Sequence, residues 1–265
     1  MQRLLLALLL LAPTALTAQD NPNYDPDYDG DGCYSVNDIL GLLPLFGSCA
    51  PFSCGDSVLF DNYWYETVLI GDQCWFAENL RTTMYANGDL IPAGLTDAEW
   101  TSATSGATAV YGEGCSFCEH NSPDFDACND ALSLVEYSRL YNGYAVDDAR
   151  SLCPSGWHVP TVGEWTQLKD YITSQGFAGT EGTALKSTSG WDTLNGTDDF
   201  GFSALPGGVR ASTNGKFDVA GTLGLWWSSS ADVNSADYWF LGPSSAFLPG
   251  NAWLEYGHSV RCLMD

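Results

Sequence analysis

What this chain has least of is positive charge. Lysine and arginine together number 9 of 265 residues, against 33 aspartates and glutamates, for a formal charge of −24. Such a surface repels phosphate backbones and anionic headgroups, so nucleic acid is not an expected partner, whereas cations such as calcium are. Long apolar runs are missing as well. After the first eighteen residues no stretch approaches the roughly 18 consecutive apolar side chains of a bilayer-spanning helix, so no membrane span is expected. Histidine is scarce too, and a lone His158 reads as a packing residue of a helix entry rather than a catalytic base. Aromatics are plentiful instead: 10 Trp, 13 Tyr and 12 Phe supply enough apolar area to exclude disorder across the body.

The N-terminus has the pattern of a secretory signal. Arg3 supplies the charged region, Leu4 to Leu11 the apolar region, and Ala15 to Ala18 the cleavage region, so residues 1–18 are expected to be removed on export to the periplasm or the extracellular space. In that setting nine cysteines imply disulfides with one thiol left over. Local pairing suggests Cys33 with Cys49, Cys54 with Cys74, and Cys128 with Cys115 or Cys118, which leaves Cys153 and Cys262. A pair between these last two closes a loop of about a hundred residues, worth ~4 to 5 kcal/mol in the chain-entropy picture. The competing reading of Cys115-x-x-Cys118, with Cys128 and His120, is a zinc site; the exported context favours disulfides.

Residues 19–50 differ in kind from the remainder of the chain. Asp27, Asp29 and Asp31 stand at positions one, three and five of a twelve-residue loop, Gly32 at six, the Cys33 carbonyl at seven and Asp38 at twelve. Hard oxygen ligands at these spacings converge on calcium. Ile39, Leu40, Leu42, Leu43 and Phe46 then form a short apolar helix ended by Gly47. The segment resembles one half of a dockerin repeat. Dockerins carry two such halves and bind cohesin across both; no second D-x-D-x-D-G occurs here, so cohesin is not an expected partner and a calcium-stabilised spacer is the expected role.

From residue 54 onward the chain reads as α+β. Tyr65 to Ile70 and Gln73 to Phe76 form a hairpin about Gly71-Asp72. Residues 81 to 131 are mostly loop, and Leu134, Tyr137, Leu140, Tyr141 and Tyr144 predict a helix over 133–145. A second helix runs from a Thr161/Glu164 capping box to about Ser174, with Val162, Trp165, Leu168 and Ile172 on its inner face. Strands are predicted at 202–205, 208–211, 225–228, 237–241 and 258–263, with a turn at Asn214-Gly215. Strands on both sides of the helices suggest one antiparallel sheet joining the two ends of the domain.

IGDQCWFAENLR, LYNGYAV, LCPSGWHVPTVGEW, FSALPGGVR, WWSSS and GHSVRCLMD, in this order, resemble the Fibrobacter succinogenes major paralogous domain, abundant in Bacteroidetes and Fibrobacter proteins, over 54–265. Its motifs are similar to those of the C-type-lectin-like fold, including the formylglycine-generating enzyme branch. That resemblance implies a C-type-lectin-like domain with an antiparallel sheet and two main helices, in which the helix entry and last strand lie side by side; it thereby implies the Cys153–Cys262 pair. Formylglycine-generating enzymes use two cysteines near the C-terminus, where this chain has Cys262, and sugar-binding C-type lectins use E-P-N or Q-P-D with W-N-D, none of which occurs here.

The expected function is therefore a secreted, non-enzymatic binding or surface protein, with a glycan or surface protein as partner. Trp226, Trp227 and Trp253 are the candidate ligand-binding residues, with Trp239 and Tyr256 as further aromatics. Adjacent Trp226 and Trp227 on a strand point to opposite faces, which predicts one buried and one near the surface. Arg210 and Arg261 are expected to pair with carboxylates inside the fold. The alternative is an extracellular hydrolase or oxidase, which a cleft holding two carboxylates or a metal-bound thiol pair would favour.

Overall fold

The hairpin around Gly71 seeds the sheet on which the two ends of the domain meet. The computed structural model describes residues 52–115 and 118–265. The expected signal segment, the expected calcium loop with Asp27, Asp29, Asp31, Cys33 and Asp38, and the expected Cys33–Cys49 pair lie outside the described residues. In chain order the strands are β1 (Val58–Phe60), β2 (Tyr63–Tyr65), β3 (Thr67–Ile70), β4 (Gln73–Phe76), β5 (Thr108–Ala109), β6 (Leu140–Asn142) and β7 (Trp157–His158). They continue with β8 (Val209–Arg210), β9 (Phe217–Asp218), β10 (Gly224–Ala231), β11 (Ser235–Leu241), β12 (Phe247–Trp253), β13 (Gly257–His258) and β14 (Leu263–Met264). The helices are α1 (Asp97–Thr101), α2 (Asp130–Glu136), α3 (Gly143–Val146), α4 (Val162–Ile172) and α5 (Glu181–Leu185). Mostly antiparallel sheets with a few short helices fit an α+β or mainly β fold.

In the sheet ordered β3-β4-β14-β7 the last strand lies between the early hairpin and the entry to α4, as the order of strands and helices suggests. Gly71 turns the β3–β4 hairpin at φ 64°, a left-handed conformation that costs glycine little. A second sheet runs β5-β6-β13-β8-β9, its β8–β9 hairpin turning at Gly215 (φ 71°). A third is the β10-β11-β12 meander.

Helix α4 begins as its sequence predicts. Thr161 Oγ1 accepts from the Glu164 amide and Glu164 Oε2 accepts from the Thr161 amide at 2.7 Å, which satisfies two otherwise orphaned donors. Trp165, Leu168 and Ile172 are buried on its inner face, and the helix ends in a π-type turn, Thr173–Phe177, with Gly176 at φ 101°. His158 lies beside this entry, its Nε2 3.0 Å from Glu164 Oε1 and its Nδ1 2.6 Å from Asp265 Oδ1.

The predicted helix over 133–145 is corrected. Helix α2 stops at Tyr137 because Ser138 takes φ 68°, which no right-handed helix accommodates. The chain then enters β6, where Leu140 and Tyr141 are buried by pairing with β5 and β13 rather than by a helix face. Asn142 caps the four-residue α3 by accepting from the Ala145 amide. A period of three and four satisfied by a strand between two helical turns cannot be told from one helix by spacing alone.

Three disulfides link described cysteines: Cys54–Cys74, Cys118–Cys128 and Cys153–Cys262. The Cα atoms of Cys153 and Cys262 are 5.8 Å apart, inside the window a disulfide needs. Cys118, not Cys115, is the partner of Cys128, and Cys115 is a free, half-buried thiol. Burial raises the pKa of that thiol, and Asp97 adds to the effect.

Candidate functional site

Among the candidate ligand-binding residues, Trp253 alone presents its ring to solvent. It ends β12, the outer strand of the meander, opposite Ser235, and is 60% exposed. Around it Thr101, Ser212, Asn234 and Glu255 line an open cleft of about 360 Å³. The floor is rigid for identifiable reasons. Trp100 is fully buried, and its indole Nε1 donates to the Glu255 carbonyl at 2.8 Å, fastening α1 to the chain beyond β12. The Tyr144 hydroxyl donates to Glu255 Oε1 at 2.8 Å and orients that carboxylate, while the Leu254 amide donates to the Asn234 carbonyl. Ser212 Oγ is buried and has no protein partner. An apolar ring face beside one carboxylate, one amide and the Thr101 hydroxyl complements a molecule with both C–H faces and hydroxyls.

A second cleft lies at the N-terminal end of α1, lined by Leu95, Asp97, Glu113 and Arg210 among others. Arg210 pairs with a carboxylate as expected, its Nη2 3.7 Å from Asp97 Oδ1, and it also serves carbonyls: its Nε donates to the Gly215 carbonyl and its Nη2 to the Leu95 carbonyl. The guanidinium lies over the rings of Trp100 and Phe217, at 4.4 and 4.8 Å from their centroids.

The Trp226/Trp227 expectation is corrected too, because both rings are completely buried. They do point to opposite faces of β10, but each face is covered. Trp226 packs against Phe202 and donates from Nε1 to Asn79 Oδ1 at 2.8 Å. Trp227 lies 4.3 Å from His258 and donates from Nε1 to the Tyr141 carbonyl at 2.7 Å. Neither ring offers a face to a ligand. Asn79 Oδ1 also accepts from Arg261 Nε at 3.0 Å, and the rest of that buried guanidinium serves the Phe76, Phe202 and Ser203 carbonyls, so its partners are an amide and carbonyls, not carboxylates. Asn79, Phe202, Trp226 and Arg261 come from four separate sequence motifs and converge on one point. The model of the Fibrobacter succinogenes major domain matches residues 68–264. The chain belongs to that family.

No curated protein and no solved structure matches the chain. In this member, several motifs of the Fibrobacter succinogenes major domain serve to join strands and loops through one buried amide, Asn79, and one buried guanidinium, Arg261. The Trp253 cleft is built from residues outside that network. Thr101, Ser212, Asn234 and Glu255 come from separate segments with no shared periodicity, and only the unpaired aromatic at the end of a strand signals the place in sequence. Trp239 is buried, and Tyr256 is half-buried and stacked over His258. Cys262, at the C-terminal position where the formylglycine-generating resemblance requires reactive cysteines, is fully buried in its disulfide. The residues expected to ligate calcium in the N-terminal loop lie outside the described residues.

Proposed function

We propose that this protein is an exported, non-enzymatic binding protein that takes a glycan in the Trp253 cleft, with a calcium-stabilised, dockerin-like segment ahead of a C-type-lectin-like domain. The observation that carries the reading is the 60% exposed Trp253 indole beside the Glu255 carboxylate, the Asn234 amide and the Thr101 hydroxyl. Sugar rings are recognised by this pairing of a stacking surface with oriented polar groups. Support for the fold reading comes from the adjacency of β14 to β4 and β7 and from the capped helix that follows β7. Export is supported by the sequence pattern of residues 1–18 and by three disulfides, and no helix among the described residues is long and apolar enough to cross a membrane.

The test is a glycan and polysaccharide array with the purified protein, with and without calcium, followed by calorimetry on the best ligand. Trp253→Ala is expected to weaken binding about tenfold, the loss of ~1.4 kcal/mol of stacking, and Glu255→Gln to weaken it further by removing a charge-assisted hydrogen bond. Retention of no glycan, or binding indifferent to both substitutions, overturns the glycan assignment.

Calcium binding is tested separately on the full mature chain. Four carboxylates in one loop repel one another without a cation, and Asp38 has a shorter arm than the usual bidentate glutamate, so the affinity is expected in the ~10⁻⁴ to 10⁻³ M range. Calorimetry should find one calcium per chain, lost on combining Asp27→Ala with Asp31→Ala. Heat equal to that of buffer at millimolar calcium returns the segment to an acidic linker.

A further inference from the structure

The loop carrying the Cys118–Cys128 disulfide holds more metal-ligand chemistry than a disulfide uses. One nitrogen of His120, one carboxylate oxygen of Asp126 and the sulfur of Cys128 all lie within 4.8 Å of one another. His120 Nε2 is 3.1 Å from Asp126 Oδ1, and His120 Nδ1 is buried with no hydrogen-bond partner. The sulfur of Cys118 sits 2.01 Å from that of Cys128, so two sulfurs, an imidazole and a carboxylate share one corner of the fold. The corner opens onto a cleft of about 390 Å³ lined by Cys118, Glu119, His120, Asn121, Asp218 and Val219. Val219, a β-branched residue, is held there at φ 59°, where such residues are rarely found.

We propose that the Cys118–Cys128 disulfide masks a tetrahedral zinc-type site, which forms when the bond is reduced and comprises Cys118, Cys128, His120 and Asp126. The dimensions suit it. Zinc bonds of ~2.0 to 2.3 Å place tetrahedral ligand atoms ~3.3 to 3.8 Å apart. The His120–Asp126 spacing is already near the lower value, and the Cys128 sulfur, within 4.8 Å of both groups, needs to close on them by about 1.5 Å at most. The Cys118 sulfur must part from that of Cys128 and turn toward the same point, and breaking their bond allows this. An external dithiol supplies two electrons and two protons, leaves as its own disulfide, and converts Cys118 and Cys128 to thiols; the divalent cation then displaces both thiol protons to water. The oxidised protein lacks the site because a disulfide sulfur is not a thiolate. Cys115 takes no part: its environment is set by Asp97, Arg210 and Lys216.

The test titrates cobalt(II) into the full-length protein, oxidised and after treatment with an immobilised phosphine that is removed before metal is added. The reduced protein is expected to show the intense visible bands of tetrahedral cobalt and a near-ultraviolet sulfur-to-cobalt charge-transfer band at one cobalt per chain, displaced by zinc. The oxidised protein is expected to show neither. Cys118→Ser combined with Cys128→Ser should abolish both signals. His120→Gln and Asp126→Asn should each weaken binding at least tenfold while leaving the count of alkylatable thiols unchanged, which separates loss of a ligand from loss of fold. A weak octahedral spectrum in the reduced protein, equal binding by the oxidised protein, or charge transfer that survives the double serine substitution overturns the proposal.

Discussion

His258 is a buried histidine at which no ionised form is tolerated. It is 1% exposed, lies among Trp227, Tyr238 and Tyr256, and neither ring nitrogen reaches a hydrogen-bond partner. Burial pushes its pKa down to about 3, with the Gly257 backbone working the other way. The unfolded chain, with an ordinary histidine pKa of ~6.5, therefore takes up a proton below that pH that the folded protein refuses. Stability from this group is complete above about pH 6.5 and declines as pH falls from there toward 3. Between pH 8 and pH 5 the loss should be about 2 kcal/mol by urea unfolding. His258→Phe keeps an aromatic ring and removes both unsatisfied nitrogens, so it should flatten that slope and raise stability at pH 5; an unchanged slope would show that His258 is not its source. Lys186 makes the contrasting case. Burial draws its pKa down to about 8, yet its ammonium donates to the Leu194, Gly242 and Ser244 carbonyls and faces the ring of Trp191, so its three donors are all used.

At the scale of elements, α4 depends on its first turn more than its length suggests. Thr161 and Glu164 cap each other, and Glu164 also meets His158, which in turn contacts Asp265. Burial works to raise the Glu164 pKa, but the Thr161 backbone and side-chain hydrogen bonds and the His158 contact together bring it below the usual value. Thr161→Ala removes the hydroxyl half of the box and should cost about 1 kcal/mol, read as a lower urea midpoint with an unchanged slope. Thr161→Ser should restore most of it, and equal losses in the two variants would assign the effect to packing instead. The β10-β11-β12 meander has a different logic. Its central strand is paired on both sides, and Trp253 ends the outer strand, where a large ring is left uncovered.

For the whole molecule, the Cys153–Cys262 bridge spans 109 residues and ties the entry of α4 to the segment before β14. Both cysteines are buried, at 1% and 0% exposure. Replacing the pair by serine should cost ~4 to 5 kcal/mol through the freedom regained by the unfolded chain. For a domain of this size that corresponds to a fall in Tm of roughly 10 to 15 °C in calorimetry. A change below about 1 kcal/mol would mean that residual structure in the unfolded chain already holds these segments together. The Cys54–Cys74 loop is far shorter, at 20 residues, and should contribute less.

What the sequence determined by itself was local. The β3–β4 hairpin, the Asn214-Gly215 turn and the Thr161 capping box are set by residues within a few positions of one another, and each stands where its residues predict it. Pairing of Cys54 with Cys74 is legible for the same reason, since a short loop is the cheaper one to close, while the Cys153–Cys262 pair rests on the family resemblance, which sets the helix entry beside the last strand. Only the tertiary structure decided the rest. Leu140 and Tyr141 belong to a strand because β5 and β13 are there to pair with β6. Trp226 and Trp227 are both buried because separate apolar layers, one with Phe202 and one with His258, cover the two faces of β10, and period-two alternation cannot say whether a strand has one covered face or two. The polar lining of the Trp253 cleft comes from Thr101, Ser212, Asn234 and Glu255, which only long-range packing brings together. Contacts between positions far apart in the chain leave no periodic mark in any one segment, so the cleft exists only in the folded chain.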